Sequence, residues 1–346
     1  MLPFIDVKGT AYEAGQQLGE FGLAGAKAFL LKSEDWAYIT AFKNDPRAAQ
    51  MQALVRQHFP LIWEEIRGLA KGLGLDETDV FLWNCRGDIW AMSKDGCTTV
   101  QYPQTAGQPY RRICHNEDGY PEFNGYCAIA RVQIENQPAF TSFIYPASIP
   151  GHTFAVTDAG LAMAVNNLRA RHVGSGIPRM VLTRAILMQP DLEHAVELLR
   201  NQPRAGGFHL SLAHQDSPEL LSIEFFSSIC SVKKISTNSV HANHAIHPET
   251  VNYPQIITGS SGWRQLRGQQ MLAENVRHPL EILADTSNAS FPVYRKQAND
   301  SDHENTLATA DMQISDAGIE WQVYDGAWPA TPLYVFHNAN LVSSNI

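Results

Sequence analysis

Asp95-Gly96-Cys97-Thr98-Thr99-Val100, DGCTTV, is the stretch on which the reading of this chain turns. Asp-Gly supplies the positive φ angles of a tight turn, and Thr98, Thr99 and Val100 are β-branched residues that read as the strand leaving it. Before this point the sequence is helical in character. Ala11 to Phe29 is rich in Ala, Gly, Leu, Glu and Gln, and Pro46 opens a second segment whose apolar Met51, Leu54, Val55 and Phe59 keep helical spacing. Leu61, Ile62, Ile66 and Leu69 carry that spacing past Pro60, Gly72 and Gly74 stop it, and Asp76 with Asp79 reads as an N-terminal cap leading into Val80 to Met92.

After Cys97 the character changes. Strand-like runs at Tyr126 to Ile134, Ala139 to Tyr145, His152 to Thr157 and Leu161 to Val165 are punctuated by Asn, Gly and Pro turns. Two helices follow, Pro178 to Met188 and Asp191 to Arg200, the second with Asp191 as its cap. Strands resume at Phe208 to Ala213, Leu220 to Phe226 and Cys230 to Ile235; a helix is expected over Gly262 to Asn275, and a hairpin over Thr306 to Ile314 and Ile319 to Tyr324. Strands in two blocks around a central helix pair point to a layered, antiparallel α+β fold and away from alternating βαβ units. No G-x-G-x-x-G follows a strand and no Walker sequence occurs, which sets nucleotide-dependent enzymes aside.

The 346 residues suffice for one large domain with an ample core, and at 44% hydrophobic and 18% charged the composition is that of an ordinary globular protein. The formal net charge of −9 and the lack of a basic block argue against a nucleic-acid partner. The amino-terminal MLPFIDVKGTAYEAG has no basic region followed by an apolar one, and Asn136 to Thr157, the longest uncharged stretch, is broken by Pro138, Pro146, Pro150 and Gly151. A soluble, cytoplasmic protein without a membrane partner is expected. The five cysteines, Cys85, Cys97, Cys114, Cys127 and Cys230, are odd in number and form no C-x-x-C pair, so reduced thiols fit better than a disulfide framework or a zinc ribbon.

Cys97 gains meaning from what surrounds it along the chain. CHNEDGY (Cys114 to Tyr120), GLAMAVNNL (Gly160 to Leu168), SVHANHAIHPE (Ser239 to Glu249), SSGWRQLRGQ (Ser260 to Gln269) and FPVYRKQ (Phe291 to Gln297) follow in order, and YEAGQQLGEFG (Tyr12 to Gly22) precedes them. Together they resemble, over nearly the whole chain, the acyl-coenzyme A:isopenicillin N acyltransferase family, self-cleaving cysteine peptidases and acyltransferases of the N-terminal nucleophile hydrolase superfamily. The resemblance implies a single four-layer αββα domain over residues 1–346, made as a precursor that cuts itself between Gly96 and Cys97. The resulting chains, 1–96 and 97–346, would stay associated. It implies no cofactor, a small acyl amide or thioester as substrate, and leaves homo-oligomerisation open.

The chemistry of that cut is sensible on these residues. Gly96 has no Cβ, so its carbonyl is open to close approach. A free α-amino group titrates near pH ~7.7–8.0, so after cleavage Cys97 would carry both a thiol nucleophile and the base for it. By the resemblance, Asp118 of Asn116-Glu117-Asp118 would orient that amine, although Asp118-Gly119 taken alone reads as a turn and Glu117 stands where many relatives carry an aromatic residue. Asn243, in His241-Ala242-Asn243-His244, would donate to an oxyanion, with a backbone N–H near Asn166 or Asn167 as the second donor. Arg295, in Val293-Tyr294-Arg295-Lys296, would set a guanidinium beside Cys97, and Arg264 is read as packing or capping its helix. Two alternatives stand beside this reading: a metal-dependent hydrolase built on His241, His244 and His247, and a catalytically silent binder of small amides.

Overall fold

A computed structural model describes residues 2–92, 96–297 and 302–345. In chain order the strands are β1 (Phe4–Gly9), β2 (Gly96–Tyr102), β3 (Arg111–Gly119), β4 (Ala128–Ile134), β5 (Phe140–Ile144), β6 (Phe154–Thr157), β7 (Leu161–Asn167), β8 (Phe208–His214), β9 (Leu220–Phe225), β10 (Cys230–Lys234), β11 (Ser239–His241), β12 (Asn305–Ser315), β13 (Gly318–Tyr324), β14 (Tyr334–His337) and β15 (Asn340–Ser344). They form an eight-stranded sheet, β1-β4-β5-β6-β7-β8-β9-β10, and a seven-stranded sheet, β11-β2-β3-β12-β13-β14-β15. The strand expected after the DGCTTV turn is β2, at the interior of the second sheet; Asp95 itself lies outside the described residues.

The two sheets face each other, with β2 packed on β7. Helices Ala11–Ala28 and Leu192–Asn201 cover the outer face of the first sheet; Gly259–Ala273 and Pro279–Leu283 cover that of the second. The order helix, sheet, sheet, helix is the αββα sandwich expected from the resemblance. One large apolar cluster fills the space between the sheets and under the first helices, including Phe143, Phe154, Val165, Leu210, Met312 and Trp321. A second, containing Val100, Tyr102, Cys114, Val240, Leu283 and Val293, lies on the other face of β2 and β3. This division follows from strand geometry, since successive side chains of β2 point to opposite faces. No helix of the described residues is long and apolar enough to cross a membrane.

Several caps stand where the sequence puts them: Asp76 caps Glu77–Trp83, Asp191 caps Leu192–Asn201, and Pro46 and Pro60 each open a helix. Three expectations need correction. The amino-terminal part is not wholly helical, because Phe4–Gly9 forms β1 and pairs in parallel with β4, Phe4 opposite Ile129 through Gly9 opposite Ile134. The helix expected over Val80 to Met92 is two short pieces, Glu77–Trp83 and Arg86–Ile89; between them Asn84 turns inward and donates its amide to the carbonyls of Val80 and Ala147. Arg111–Gly119, not anticipated as a strand, is β3 and carries much of the site.

Helices Ala11–Ala28 and Pro60–Leu73 meet through glycines. A Cβ added at Gly68 would run into the carbonyl oxygen of Tyr12, and one at Gly15 into that of Glu65, so the backbones touch where no side chain intervenes. Gly68→Ala is therefore expected to push the helices apart and cost about 1–3 kcal/mol, the usual range for overpacking. Chemical denaturation of the variant should show a lower midpoint at unchanged slope.

Candidate active site

β2 and β3 run antiparallel with Cys97 opposite Glu117, Gly96 opposite Asp118 and Thr99 opposite His115. Alternation sends Cys97, Thr99, His115 and Glu117 into the space between the sheets, and Thr98, Asn116 and Asp118 towards the outer helices. The contacts agree. Thr99 reaches Asn166 on the opposing sheet at 2.7 Å, whereas Asn116 donates to the Leu283 carbonyl at 2.8 Å.

Cys97 is buried, and each of its polar atoms is engaged. Its backbone N–H donates to Asn243 Oδ1 at 3.0 Å, its carbonyl accepts from Arg264 Nη1 at 2.6 Å, and its Sγ lies 3.8 Å from Glu117 Oε2. Burial pushes the thiols of Cys85, Cys114 and Cys127 well above the ordinary cysteine value, which marks them as inert packing groups.

Glu117 Oε2 also meets His115 Nε2 at 3.1 Å, and Oε1 accepts from the Tyr145 hydroxyl at 2.8 Å. Thr99 has one hydroxyl proton, directed to Asn166 Oδ1, so at its 2.8 Å contact with His115 Nδ1 the ring must donate. Nε2 is then the lone pair of a neutral ring, and burial alone lowers His115 to about 3. Two lone pairs would repel at this distance, so a proton sits between Oε2 and Nε2. Glu117 and His115 thus act as one acid–base dyad whose oxygen faces the thiol.

Asn243 follows β11. Its Oδ1 accepts from both Cys97 N and Arg264 Nη2, the latter at 2.7 Å, and its Nδ2 donates to the Asn167 carbonyl at 3.3 Å. In the continuous chain the amide oxygen, not the expected amide donor, is what touches Cys97. Arg264 projects from helix Gly259–Ala273 and is fully buried, with a further bond to Thr98 Oγ1 at 2.8 Å. The packing role read from sequence for Arg264 is therefore incomplete. It does bond Ser260 within its own helix, but its guanidinium is also fixed on the Cys97 carbonyl.

Arg295 is buried, donates Nη1 to Ser260 Oγ at 2.9 Å and Nε to the Glu304 carbonyl at 2.8 Å, and so joins Arg264 through a shared serine. Asp118 is buried on the same side and accepts from Thr306 Oγ1 at 2.6 Å. A cavity of about 320 Å³ opens beside Arg295 and Thr306, with Tyr294, Lys296 and Asp325 in its wall. On the dyad's side, an aromatic cleft is lined by Trp83, Trp90, Tyr120, Phe123 and Tyr145. Asn166 enters by its side chain: Oδ1 accepts from Thr99 and meets His209 Nδ1 at 2.9 Å, while Nδ2 donates to the His241 carbonyl, so it ties the sheets together under the site.

Of the three histidines of the alternative reading, His241 and His247 face one carboxylate, with Nε2 atoms 2.8 and 3.8 Å from Glu224 Oε1, and His244 turns away from it. His241 stacks on His209 and bonds Glu224, His244 bonds Ser261, and His247 lies between Ser222 and Ser231. Burial lowers both His244 and His247 to about 4, leaving neutral rings in hydrogen-bonded positions. Among the described residues, the three-residue group whose ligand atoms converge within 4.8 Å is Cys97, His115 and Glu117.

Of the residues expected around Cys97, Asn243 bonds its backbone N–H, Asp118 stands opposite Gly96 on the ladder and bonds Thr306, and the bonds of Arg295 go to Thr306, Ser260 and the Glu304 carbonyl, while the guanidinium on Cys97 is that of Arg264. Sequence reading did not single out His115, Thr99 or Tyr145, and gave Arg264 only a packing or capping role. For His115 and Glu117 a usable signal existed, since an i, i+2 pair on a strand shares one face. The family model described as Acyl-coenzyme A:6-aminopenicillanic acid acyl-transferase matches residues 106–328. Among solved structures, a variant of conjugated bile acid hydrolase from Clostridium perfringens aligns with a TM-score of 0.46 at 10% identity, covering 72% of this chain and 100% of that one.

Proposed function

Because the chain belongs to the acyl-coenzyme A:6-aminopenicillanic acid acyl-transferase family, we propose that it is a self-processing N-terminal-cysteine enzyme, with Cys97 as nucleophile, that takes an acyl group from a small amide. The observation that carries this reading is the environment of Cys97: nitrogen on Asn243, carbonyl on Arg264, thiol against the Glu117–His115 dyad.

In the continuous chain the Cys97 nitrogen is an amide and has no lone pair to act as base. The thiol proton needs another acceptor, and Glu117 Oε2 is the oxygen directly across the ladder. The thiol proton can pass to Oε2 as the dyad's own proton moves on to His115 Nε2, and because burial holds that ring at about 3 the transfer must accompany attack on the Gly96 carbonyl and not precede it. Sγ then attacks the Gly96 carbonyl carbon, the C–N bond breaks, and water hydrolyses the thioester to leave Gly96 as a carboxylate and Cys97 as a free amine. In later turnovers this amine takes the thiol proton. Asn243 Oδ1, already on that nitrogen, would orient the amine's lone pair towards Sγ, and the Arg264 charge would favour the thiolate.

We take the reaction to be amide hydrolysis, with transfer to an amine as a competing outcome. Chains 1–96 and 97–346 would remain one particle, because β1 is laddered to β4 and the first helices bury the face of that sheet. Amino-terminal sequencing and intact mass test the reading together. Active protein should contain a chain beginning at Cys97, and a slow amide substrate should add its acyl mass to that chain alone. An active preparation holding only the continuous chain would exclude the proposal, and a continuous chain without activity would favour the silent binder.

A further inference from the structure

We infer that Glu304 is the general acid of self-cleavage: its neutral carboxyl gives the Cys97 nitrogen the proton it needs as the Gly96–Cys97 bond breaks. This rests on the self-processing reading above and assigns one more group to it.

Glu304 lies just before β12 and is fully buried. Its carboxyl presses on the residue before the nucleophile. A Cβ built on Gly96 would run into Oε2 and come within 2.8 Å of the carboxyl carbon, so glycine at 96 is what lets the acid approach. Oε1 receives a long bond from Arg169 Nη2, at 3.4 Å. Oε2 is shielded from solvent and has no hydrogen-bond partner among the described residues.

A bare carboxylate oxygen buried in this way is costly, by several kcal/mol in general, and protonation is the ordinary escape. The surroundings agree. Burial is the largest influence on Glu304 and, against the pull of Arg169, Arg295 and Arg264 and with the push of Asp302, raises it to about 8. At neutral pH the group is therefore mainly a carboxylic acid whose Oε2 side meets no acceptor among the described residues. An O–H that is unsatisfied beside a scissile peptide acquires a partner only when the departing nitrogen gains its lone pair. Such an interaction is stronger in the transition state than in the ground state, which is the condition for catalysis.

The protons balance. Sγ–H is lost to the Glu117–His115 dyad as the S–C bond to Gly96 forms. The C–N bond breaks, its electron pair stays on the Cys97 nitrogen, and the Glu304 proton converts that nitrogen into the amine, leaving Glu304 as a carboxylate next to Arg169. Water then cleaves the thioester, returns a proton to sulfur and releases Gly96 as an acid, and exchange with solvent resets both carboxyl groups.

The test follows conversion of freshly translated full-length chain into its two products by gel and intact mass. Wild-type chain should yield the Cys97-initiated product, and Glu304→Gln, isosteric but unable to transfer a proton, should cut at least ~100-fold more slowly. Melting curves check that the variant folds. If it does not, Glu304→Ala with added formate replaces it, and cutting that rises with formate concentration supports the role. A wild-type cutting rate in folded Glu304→Gln, or in Glu304→Ala without formate, overturns the inference while leaving self-processing intact. If wild-type chain never yields the product, the underlying reading fails instead.

Discussion

Cys97→Ala is expected to leave one continuous chain and to lower turnover by at least about 10⁴-fold, the scale of loss when a nucleophile that works as a unit with its base is removed. Both effects come from the same atom. Without Sγ the Gly96 carbonyl is not attacked, so the amine that would serve turnover is never released. Alanine fills the Cys97 position with little change in volume, and the backbone bonds to Asn243 and Arg264 do not depend on the thiol. The variant should therefore melt close to the wild-type temperature, which separates loss of chemistry from loss of fold. Two-chain product from folded Cys97→Ala would exclude this cysteine as the cleaving group. Cys97→Ser is the graded companion: the much higher pKa of a hydroxyl should allow slow cutting at most, with turnover still largely lost.

Arg264→Ala is expected to be the next most damaging change at the site. One guanidinium holds three oxygens together: the Cys97 carbonyl, Thr98 Oγ1 and Asn243 Oδ1, at 2.6, 2.8 and 2.7 Å. Its removal frees the Asn243 amide, which is the group on the Cys97 nitrogen, and takes away the buried positive charge that steadies a thiolate. Loss of one oriented donor in an acyl-transfer site typically costs ~10²–10³-fold in rate, and that is the expected fall in kcat/KM. Arg264→Lys should recover little of it, since an ammonium cannot reproduce the planar fork that spans these acceptors. Activity within a few-fold of wild type in either variant would return Arg264 to the purely packing role first read from its helix.

The parts of the site legible in the sequence are those marked by backbone chemistry. Asp-Gly before β-branched residues locates β2, and Gly96 with Cys97 at its head follows from that. Asp118, Asn243 and Arg295 required the motif resemblance; in the structure Asn243 bonds Cys97, Asp118 stands opposite Gly96, and Arg295 bonds Ser260 and the Glu304 carbonyl. β3 was hidden for a physical reason: His115 and Glu117 on one face and Asn116 and Asp118 on the other are all polar, so the apolar alternation that betrays a half-buried strand is absent. A strand that is polar on both faces and fully buried is affordable only where every group finds a partner, which is the condition inside a catalytic centre. Arg264 escaped because S-x-x-R on a helix is also what a solvated helix face looks like, and only the neighbouring strand turns that face into an interior. β1 escaped because FIDVKG is six residues long and precedes a strong helix, while its pairing partner lies more than a hundred residues away.

Should the chain be cut after Gly96 as proposed, the placement of β1 beside β4 decides how the two-chain protein comes apart. Before the cut, an unfolded molecule keeps this strand tethered to the sheet it belongs to, and re-forming their ladder is a first-order event. Afterwards the same ladder joins separate polypeptides, so recovery from denaturant should become second order, slow when dilute and faster when concentrated. Self-cleavage would in this way act as a ratchet, turning a reversible folding equilibrium into a persistence set by the rate at which the first chain escapes.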